Sequence, residues 1–499
     1  MVDSVAGYFQ DHSDSKDLGR RALRGGFVSV AMQYGNGALQ IVSAVILARL
    51  LAPEDFGLVA IVTVLTSFAP LLIDFGLGDA TVQRSKITRG QVNCLFWLSS
   101  GIGLAVALIV AACSPLIAWI YGEPRLAPIA LCIAITFVLG GASNQHLALL
   151  RRSMQFGRIA NIQILSTLAG IVVAVVVAIV GSGYWALVLR PVVSTFCIAL
   201  GAWFVCRWRP GFPAFDSDVR PMIRFGQHVV GFSVIYTMAK SVDRIALGLF
   251  YRPDQVGYYQ NAIALYENSI FAALIQLHMV ASATLSKLQS DPAALRQKYE
   301  AALSALAFFV MPAASILSVV AEDLTVILLG EKWRMAGSLL SIIALRGIFQ
   351  VVEGSQGWLH VSIGRPDRWR NWGIITAAVQ VVAVLAGLRF GATGVAIAMS
   401  VTSLLIALPS IIYAGRPIGI GAERVIRAVG PQLIGAIGAL AGGWWLRTEA
   451  LGDCSSLVRI LLLGGVCTCL YLAIVVGLFR LVEPIKVAGS IVHDLLKSR

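Results

Sequence analysis

Long apolar stretches alternate with short polar connectors along the whole chain. Each stretch is roughly 20 residues long, which is enough for an α-helix to cross about 30 Å of hydrocarbon. The pattern predicts fourteen transmembrane helices, which we number spans 1 to 14. They cover residues 26–48, 57–77, 92–113, 126–148, 158–180, 184–206, 224–250, 257–280, 299–320, 335–361, 371–388, 391–413, 426–446 and 458–479.

The composition supports this interpretation. Apolar residues make up 58% of the 499 residues and the mean hydropathy is +0.80, which excludes an ordinary water-soluble domain. The connectors are too short to hold a separate catalytic domain. The polar first 24 residues lack the apolar core of a cleavable signal peptide, so we expect span 1 to remain as an uncleaved anchor.

The basic residues show a strong sidedness. Connectors on one side of the predicted topology hold 27 Lys and Arg residues, and those on the other side hold 7. By the positive-inside rule, the richer side is cytoplasmic, which places both termini in the cytoplasm. The net charge of +13 therefore reflects membrane topology, and we predict no nucleic-acid partner.

An internal repeat relates the two halves of the chain. Residues 47–57 and 247–257 share the frame L-[AG]-x-[LF]-x-x-P-[DE]-x-[FV]-G. Both copies follow the first helix of a set of six, so the two sets have the same orientation in the membrane. Parallel repeats predict a pseudo-two-fold axis along the membrane normal, with a substrate path between the halves.

This repeat predicts an all-α polytopic membrane protein with two parallel six-helix bundles and two extra C-terminal helices. The predicted layout is a cytoplasmic N-terminal segment (1–25), an N-terminal bundle (26–210), a cytoplasmic linker (211–223), a C-terminal bundle (224–415), spans 13 and 14 (416–480) and a cytoplasmic amphipathic tail (481–499).

Polar and charged residues inside the spans are the candidate functional residues. A charge at mid-bilayer costs about 2.5–3.5 kcal/mol on insertion scales, so we expect each charged residue inside a span to have a structural or functional role. The predicted substrate-binding residues are Lys240, Arg244, Arg346, Arg190, Gln33, Asn36, Gln40, Asn261 and Gln350, and the predicted ion-coupling residues are Asp243, Glu267, Glu353 and Asp74. In this hypothesis they line a hydrated, net-cationic cavity for an anionic phosphate or pyrophosphate bearing sugars. Helical spacing places Gln33, Asn36 and Gln40 on one polar stripe of span 1, and Arg346, Gln350 and Glu353 on one charged stripe of span 10. The alternative is that these polar stripes hold helices together and have only a structural role.

Common catalytic motifs are absent from the sequence. The chain has no G-x-x-x-x-G-K-[ST], no H-E-x-x-H and no G-x-S-x-G. No long extracytoplasmic connector carries a candidate acid/base pair. We therefore predict a protein that is not an enzyme and uses neither cofactor nor metal.

Several blocks resemble a known family. They are residues 50–58 (LLAPEDFGL), 74–78 (DFGLG), 151–156 (RRSMQF), 183–187 (GYWAL) and the Asp243-Arg244 pair. In this order they are similar to Wzx-like flippases of the polysaccharide transporter family. That family belongs to the multidrug/oligosaccharidyl-lipid/polysaccharide exporter superfamily, and the similarity extends over nearly the whole chain.

The resemblance implies a V-shaped pair of six-helix bundles that works by alternating access. It also implies transport of an undecaprenyl-diphosphate-linked oligosaccharide across the bacterial inner membrane for exopolysaccharide, capsule or O-antigen synthesis. The expected partners are the lipid-linked oligosaccharide, membrane lipids, and the polysaccharide polymerase and export machinery. A multidrug and toxin extrusion-type antiporter, a membrane polysaccharide polymerase or ligase, and a scaffold subunit of a synthesis complex remain alternatives.

Overall fold

The computed structural model of the protein describes most of the chain. The described residues are 18–74, 76–84, 87–213, 237, 238, 240–271, 274, 285, 288, 289, 291–452 and 454–481. All regular structure within them is helical, as predicted. The predicted N-terminal segment up to residue 17, most of the 211–223 linker, large parts of spans 7 and 8, and the tail beyond residue 481 lie outside the described residues.

The chain divides into two compact units, which we call unit 1 (Met1–Gly257) and unit 2 (Tyr258–Arg499). The helices of unit 1 are α1 (Leu18–Leu50), α2 (Pro53–Leu65), α3 (Ala69–Asp74), α4 (Leu77–Gln83), α5 (Arg89–Tyr121), α6 (Leu126–Arg152), α7 (Phe156–Ile179), α8 (Trp185–Val205), α9 (Val242–Phe250) and the start of α10 (Pro253–Tyr266).

Unit 2 contains the rest of α10, which leads into a π-helical turn (Glu267–Phe271). In the described part of unit 2, six long helices follow: α11 (Pro292–Leu329), α12 (Arg334–Ser362), α13 (Pro366–Leu388), α14 (Gly391–Gly415), α15 (Ala422–Glu449) and α16 (Ser456–Leu472). A short 3₁₀ turn precedes α12, another follows α14, and a second π-helical turn (Ala473–Leu478) follows α16.

Eleven helical segments in the described residues are long and apolar enough to cross a membrane. Helix α1 corresponds to predicted span 1 but is not among the eleven, because its polar stripe lowers its hydropathy. Predicted spans 7 and 8 are described only in part. The chain is a multi-pass membrane protein.

Predicted span 2 is interrupted. The structure has two helices, α2 and α3, over most of the predicted range 57 to 77, and α4 begins at Leu77, where the predicted span ends. The first break falls at Thr66, whose hydroxyl donates a hydrogen bond back to the Val62 carbonyl at 2.8 Å. The second break falls at Gly76, whose φ of 66° is readily adopted by glycine and ends the helical path. Apolar periodicity does not reveal such breaks, because the residues on both sides are still apolar.

Two other helices extend beyond their predicted spans. Helix α5 runs to Tyr121 rather than to residue 113, and Gly122 ends it with a φ of 63°. Helix α11 runs from Pro292 to Leu329, although the predicted span ended at 320, before Glu322 and Asp323. In α11 the acidic residues are accommodated by basic partners, so they do not end the helix.

In unit 1, helices α5 and α6 approach closely through glycines. A Cβ on Gly103 would lie 2.5 Å from the Phe137 carbonyl oxygen, and one on Gly141 would lie 2.6 Å from the Ser99 carbonyl oxygen. Helix α8 packs on α6 and α7, and α1 packs on α7. Small residues allow this approach, which is how membrane helices gain van der Waals contact without a hydrophobic driving force between them.

Unit 2 repeats several of these pairings. Helix α11 packs on α12, α12 on α14, and α13 on α14. At the tight turn between α13 and α14, a Cβ on Gly387 would lie 2.6 Å from the Gly394 carbonyl oxygen. Helices α15 and α16 both pack against α11.

Connectors that the predicted topology assigns to the same side come together at the same end of unit 1. At one end, Arg125 forms ion pairs with Glu54 and, at 2.7 Å, with Glu123. At the other end, Arg152 Nη1 donates to the Thr81 carbonyl oxygen at 3.0 Å, and Trp97 Nε1 donates to the Gly211 carbonyl oxygen at 2.9 Å. These contacts agree with the alternation of the basic connectors, while the assignment of one end to the cytoplasm stays a prediction.

Candidate functional site

A polar cluster lies inside unit 2, on the face of α12 where the sequence predicts a charged stripe. Arg346 Nε donates a hydrogen bond to Ser403 Oγ of α14 at 3.1 Å, and Ser403 Oγ donates to Glu353 Oε2 at 3.2 Å. Arg346 and Glu353 are seven residues apart, so two helical turns bring them to the same face. The serine of the neighbouring helix thus connects an arginine and a carboxylate on α12.

Helix α10 adds an aromatic residue to this cluster. The Tyr266 hydroxyl donates to Gln350 Oε1, and Tyr266 is buried. Tyr266 lies within electrostatic range of Arg346, Glu353 and Glu267. We call Tyr266, Arg346, Gln350, Glu353 and Ser403 the α12 cluster.

Glu267 and Asn261 flank this cluster on the chain. Glu267 is exposed and begins the π-helical turn that ends α10. π-Helical turns are rare and are often found at functional sites. Asn261, two turns earlier in α10, is buried. The structure therefore brings together three predicted residues, Arg346, Gln350 and Glu353, and places Glu267 near them.

The predicted cations of span 7 lie in unit 1. Asp243 is buried at the start of α9, and its Oδ1 lies 3.6 Å from Arg244 Nε. The same Asp243 oxygen accepts a hydrogen bond from the Arg244 backbone N–H at 2.8 Å. Lys240 is exposed just before this helix. Arg244 is therefore partly neutralised by its neighbour.

Arg190 has a polar partner in another part of unit 1. Its Nη1 donates to Ser43 Oγ of α1 at 3.2 Å, so it links α8 to α1. The α1 stripe is divided: Gln33 and Gln40 are exposed, while Asn36 is partly buried. Within the described residues, the buried Asn36 amide oxygen has no hydrogen-bond partner.

Asp74 lies at the end of unit 1 that we predict to be cytoplasmic. Its Oδ1 accepts a hydrogen bond from Asn144 Nδ2 at 3.3 Å. A Cβ on Gly78 would lie 2.9 Å from Asp74 Oδ1 and 3.3 Å from Arg151 Nη2, so all three residues share one small region. This position, next to the break in predicted span 2, gives Asp74 an arginine neighbour.

The two copies of the internal repeat meet inside unit 1. A Cβ on Gly57 of α2 would overlap the carbonyl oxygen of Pro253, and a Cβ on Gly257 of α10 would overlap the carbonyl oxygen of Pro53. The contact is reciprocal, because the glycine of each copy touches the proline of the other. The sequence predicts these residues as the start of a helix; their direct contact only became visible in the structure.

An ion network in unit 2 was missed by sequence analysis. Arg447 Nη2 of α15 lies 2.7 Å from Glu322 Oε2, and Arg459 Nη1 of α16 lies 3.3 Å from Asp323 Oδ1. Asp323 is 4% exposed, and Arg447 Nη2 is 3.5 Å from it. The signal was the acidic pair directly after an apolar stretch, together with the arginine inside span 14. We call Glu322, Asp323, Arg447 and Arg459 the α11 ion network.

The profile of the family described as polysaccharide biosynthesis protein matches residues 46–337, more than half of the chain. The chain belongs to this polysaccharide biosynthesis protein family. The match covers both copies of the repeat and the start of α12.

Individual relatives cover most of the chain. Lipopolysaccharide biosynthesis protein WzxC of Escherichia coli (strain K12) is 26% identical over 74% of this chain and 75% of its own length. Succinoglycan biosynthesis transport protein ExoT of Rhizobium meliloti (strain 1021) is 25% identical over 72% of this chain and 73% of its own. Teichuronic acid biosynthesis protein TuaB of Bacillus subtilis (strain 168) is 24% identical over 67% and 70%.

Solved structures share the fold. Lipid II flippase MurJ in an inward closed conformation superposes with a TM-score of 0.71 at 14% identity, covering 91% of this chain and 99% of that chain. An inward-facing multidrug resistance MATE family transporter of the MOP superfamily has a TM-score of 0.56 at 11% identity, with coverages of 79% and 98%. This polysaccharide biosynthesis family member therefore has the MurJ- and MATE-like transporter fold.

Proposed function

We propose that this protein is a flippase for a lipid-linked oligosaccharide. It moves an undecaprenyl-diphosphate-linked repeat unit from the cytoplasmic to the periplasmic leaflet of the bacterial inner membrane, for exopolysaccharide, capsule or O-antigen synthesis. Support comes from its family, from a relative named as a transport protein, and from the fold it shares with a lipid II flippase. Both termini would be cytoplasmic, as the basic connectors predict.

The observation that carries this proposal is the α12 cluster inside a membrane-spanning bundle of a polysaccharide biosynthesis protein. Charged residues at membrane depth are costly, and they commonly mark a transport path. The Ser403 hydroxyl forms hydrogen bonds with both Arg346 and Glu353. An anionic group entering the cluster would find a guanidinium already oriented toward a polar partner.

Substrate contacts follow from the chemistry of each side chain. The diphosphate would bind guanidinium and ammonium groups, for which the candidates are Arg346, Arg244, Lys240 and Arg190. Sugar hydroxyls suit amide side chains, for which the candidates are Gln33, Asn36, Gln40, Asn261 and Gln350. The polyprenyl tail would remain in lipid, because its transfer into a polar path would forfeit its hydrophobic stabilisation.

Ion coupling would use a carboxylate that changes partners during transport. Glu353 is our first candidate, because protonation would weaken its hydrogen bond from Ser403 and thereby affect Arg346. Asp243, next to Arg244, offers the same chemistry in unit 1. Glu267 and Asp74 are further candidates. Coupling of this kind predicts that transport depends on the proton gradient.

Alternating access requires contacts that form and break. The reciprocal glycine–proline contact between α2 and α10 is our candidate for the closure at the extracytoplasmic end of these helices. No side chain separates the two backbones there, so small movements can open or close the contact. The polysaccharide polymerase and export machinery would act on the translocated product.

The decisive test compares charge-removing variants in a strain that lacks the chromosomal gene. We expect Arg346→Gln and the Lys240→Ala/Arg244→Ala double variant to reduce polysaccharide export strongly at normal membrane levels. Lipid-linked oligosaccharide should then accumulate in the cytoplasmic leaflet. The matched control is Arg334→Gln, since Arg334 lies in an exposed ion pair with Glu331 at 2.7 Å. Full export by both charge-removing variants would reject these cations as the diphosphate site.

The phenotype of a deletion strain distinguishes the flippase from the other functional classes. Because this chain shares its fold with a multidrug transporter, a drug antiporter is the main alternative. Deletion would then sensitise cells to organic cations without a change in lipid-linked sugars. A polymerase or ligase defect would instead leave single repeat units on the periplasmic side. The family match favours the flippase over these alternatives.

A further inference from the structure

A groove runs between α7 and α8 of unit 1. Its volume is about 350 Å³. Its walls include Arg158, Ile162 and Ser166 of α7 and Cys197, Gly201 and Val205 of α8. Ser166, Cys197 and Gly201 are small, and a Cβ on Gly201 would lie 3.0 Å from Ile162 Cγ2. We call this cavity the α7–α8 groove.

The groove has an open end and a closed end. From Arg158 to Ser166 it extends about 12 Å along α7, at about 1.5 Å per residue. One turn further, the two helices touch, because a Cβ on Gly170 would lie 2.7 Å from the Arg190 carbonyl oxygen. A single leaflet provides about 15 Å of hydrocarbon depth, half of the 30 Å core. The groove therefore reaches through most of one leaflet and stops near the bilayer centre.

The surroundings of the groove are apolar and exposed. Along the outer face of α7, Leu165 is 66% exposed, Val172 is 61% exposed and Val176 is 54% exposed. Phe204 of α8 is also largely exposed beside the groove. An exposed apolar stripe of this length on a membrane-spanning helix is a surface for acyl chains. The groove therefore opens toward lipid.

The open end of the groove is basic. Arg158 is exposed, and its Nη1 donates to Gln155 Oε1 at 2.7 Å, which holds the guanidinium at the start of α7. Asn161 lies nearly one turn deeper on the same wall. None of the residues that line the groove is acidic. Basic pockets between membrane helices on the cytoplasmic side attract anionic lipid headgroups.

We propose that the α7–α8 groove binds an anionic phospholipid of the cytoplasmic leaflet. One acyl chain occupies the groove, and the phosphate interacts with Arg158 and the Asn161 amide. The closed end at Gly170 favours a phospholipid over the longer polyprenyl carrier, because the groove accommodates a chain of about one leaflet's depth. This lipid site does not depend on the proposed function, although its closed end adjoins the backbone of Arg190, one of the candidate diphosphate-binding residues.

Native mass spectrometry of the purified full-length protein tests the site. The protein is titrated with phosphatidylglycerol, with phosphatidylcholine of the same acyl chains, and with undecaprenyl phosphate. We expect phosphatidylglycerol to bind more tightly than phosphatidylcholine. Arg158→Gln should weaken phosphatidylglycerol binding about fivefold and leave phosphatidylcholine unchanged, as expected for the loss of one basic contact. Gly201→Leu should weaken both phospholipids at least about tenfold, because it adds a large side chain to the groove wall against Ile162.

Two matched variants serve as controls. Arg389→Gln removes an exposed arginine from the predicted opposite side, and Gly465→Leu adds a side chain where a Cβ meets nothing within 4 Å. Both should bind phosphatidylglycerol like the wild type. If Gly201→Leu does not purify as a folded protein, Cys197→Leu fills the groove at its deep end and should give the same loss.

Two results would overturn the proposal. In the first, Arg158→Gln and the groove-filling variants bind phosphatidylglycerol as tightly as the wild type. In the second, the variants weaken undecaprenyl phosphate alone, which would assign the groove to the carrier lipid. Because the measurement needs no transport, either result is independent of whether the protein is a flippase.

Discussion

Two arginine-centred ion networks, one in each unit, differ sharply in burial. In unit 1, Arg125 joins Glu54 and Glu123 at a connector, and 41% of its side chain is exposed. In unit 2, Arg447 joins Glu322 and Asp323, and 10% of its side chain is exposed. Exposed ion pairs contribute little to stability, whereas breaking a buried one is costly. Similar residue types therefore have different energetic importance in the two units.

The difference comes from the helices that cover each network. In the most apolar stretch of α5, 28% of residues are buried, against 67% in the corresponding stretch of α11. Helices α15 and α16 cover α11, while much of the α5 surface remains exposed. Helices α15 and α16 are thus joined to α11 in part through the α11 ion network.

The largest expected effect comes from breaking the network of unit 2. Arg447→Ala would leave Glu322 and Asp323 without their shared partner, so we expect a loss of about 3–5 kcal/mol in the free energy of unfolding. Thermal unfolding in detergent, followed by circular dichroism, measures this loss. Arg125→Ala in unit 1 is the matched variant and should cost about 1 kcal/mol or less. Equal losses in the two variants would contradict the contrast between the networks.

A medium effect is expected at the meeting point of the repeat copies. Gly57→Ala and Gly257→Ala each place a Cβ against a backbone carbonyl, so each should destabilise the protein by about 1–3 kcal/mol. The reciprocal geometry predicts similar losses from the two copies.

The control for this prediction has the opposite sign. Gly35→Ala in α1 meets nothing within 4 Å, so it should stabilise the helix by about 0.5–1 kcal/mol. Thermal unfolding of the three variants under identical conditions compares them. A neutral Gly57→Ala variant would show that the backbones of α2 and α10 are not in contact in solution.

A smaller effect is expected in the α12 cluster. Ser403→Ala removes the hydroxyl between Arg346 and Glu353, and we expect a loss of about 1 kcal/mol in the free energy of unfolding. Transport should fall more than stability does, because the oriented guanidinium loses its partner. The control is Ser114→Ala in α5, whose hydroxyl bonds only within its own helix at 2.8 Å among the described contacts. Normal export by Ser403→Ala would assign the serine to packing.

The smallest effect is expected when the pH is lowered, in the exposed ion network that Arg125 forms in unit 1. A hydrogen bond from Arg125, reinforced by its charge, lowers the pKa of the Glu123 carboxyl below the ordinary value of 4.5. A lowered pKa in the folded state stabilises the protein above pH 4.5, and this contribution is lost as the pH falls through the folded-state value. The stability difference between wild type and Arg125→Gln should therefore shrink below pH 4.5. A difference that stays constant down to pH 3 would exclude this linkage.

Sequence periodicity was most informative where helices face lipid. The boundary between α7 and α8 at Gly181 and Gly183, and that between α13 and α14 at Gly391, fall where the pattern predicts them. The breaks in predicted span 2 and the full length of α11 were not predicted. Both depend on local backbone geometry or on partners distant in sequence, which a window of neighbouring residues does not contain.

In the candidate site, too, the partners that are distant in sequence could not be predicted. The spacing of Arg346, Gln350 and Glu353 placed them on one face of a helix, and the structure agrees. Their partners Tyr266 and Ser403 come from other helices, and neither stands out in the sequence. Similarly, the motif glycines marked helix starts, but only the fold brought Gly57 against Pro253.

The sequence by itself determined that the chain crosses a membrane many times, because hydrocarbon requires long apolar helices. It also identified the residues that are too polar to face lipid and are therefore expected to have a structural or functional role inside the protein. Only the tertiary structure decided which of these residues meet, how deeply each ion network is buried, and where α7 and α8 separate to form a groove. Those properties depend on contacts between helices far apart in the chain, and the energy of a charge or a cavity is set by what surrounds it.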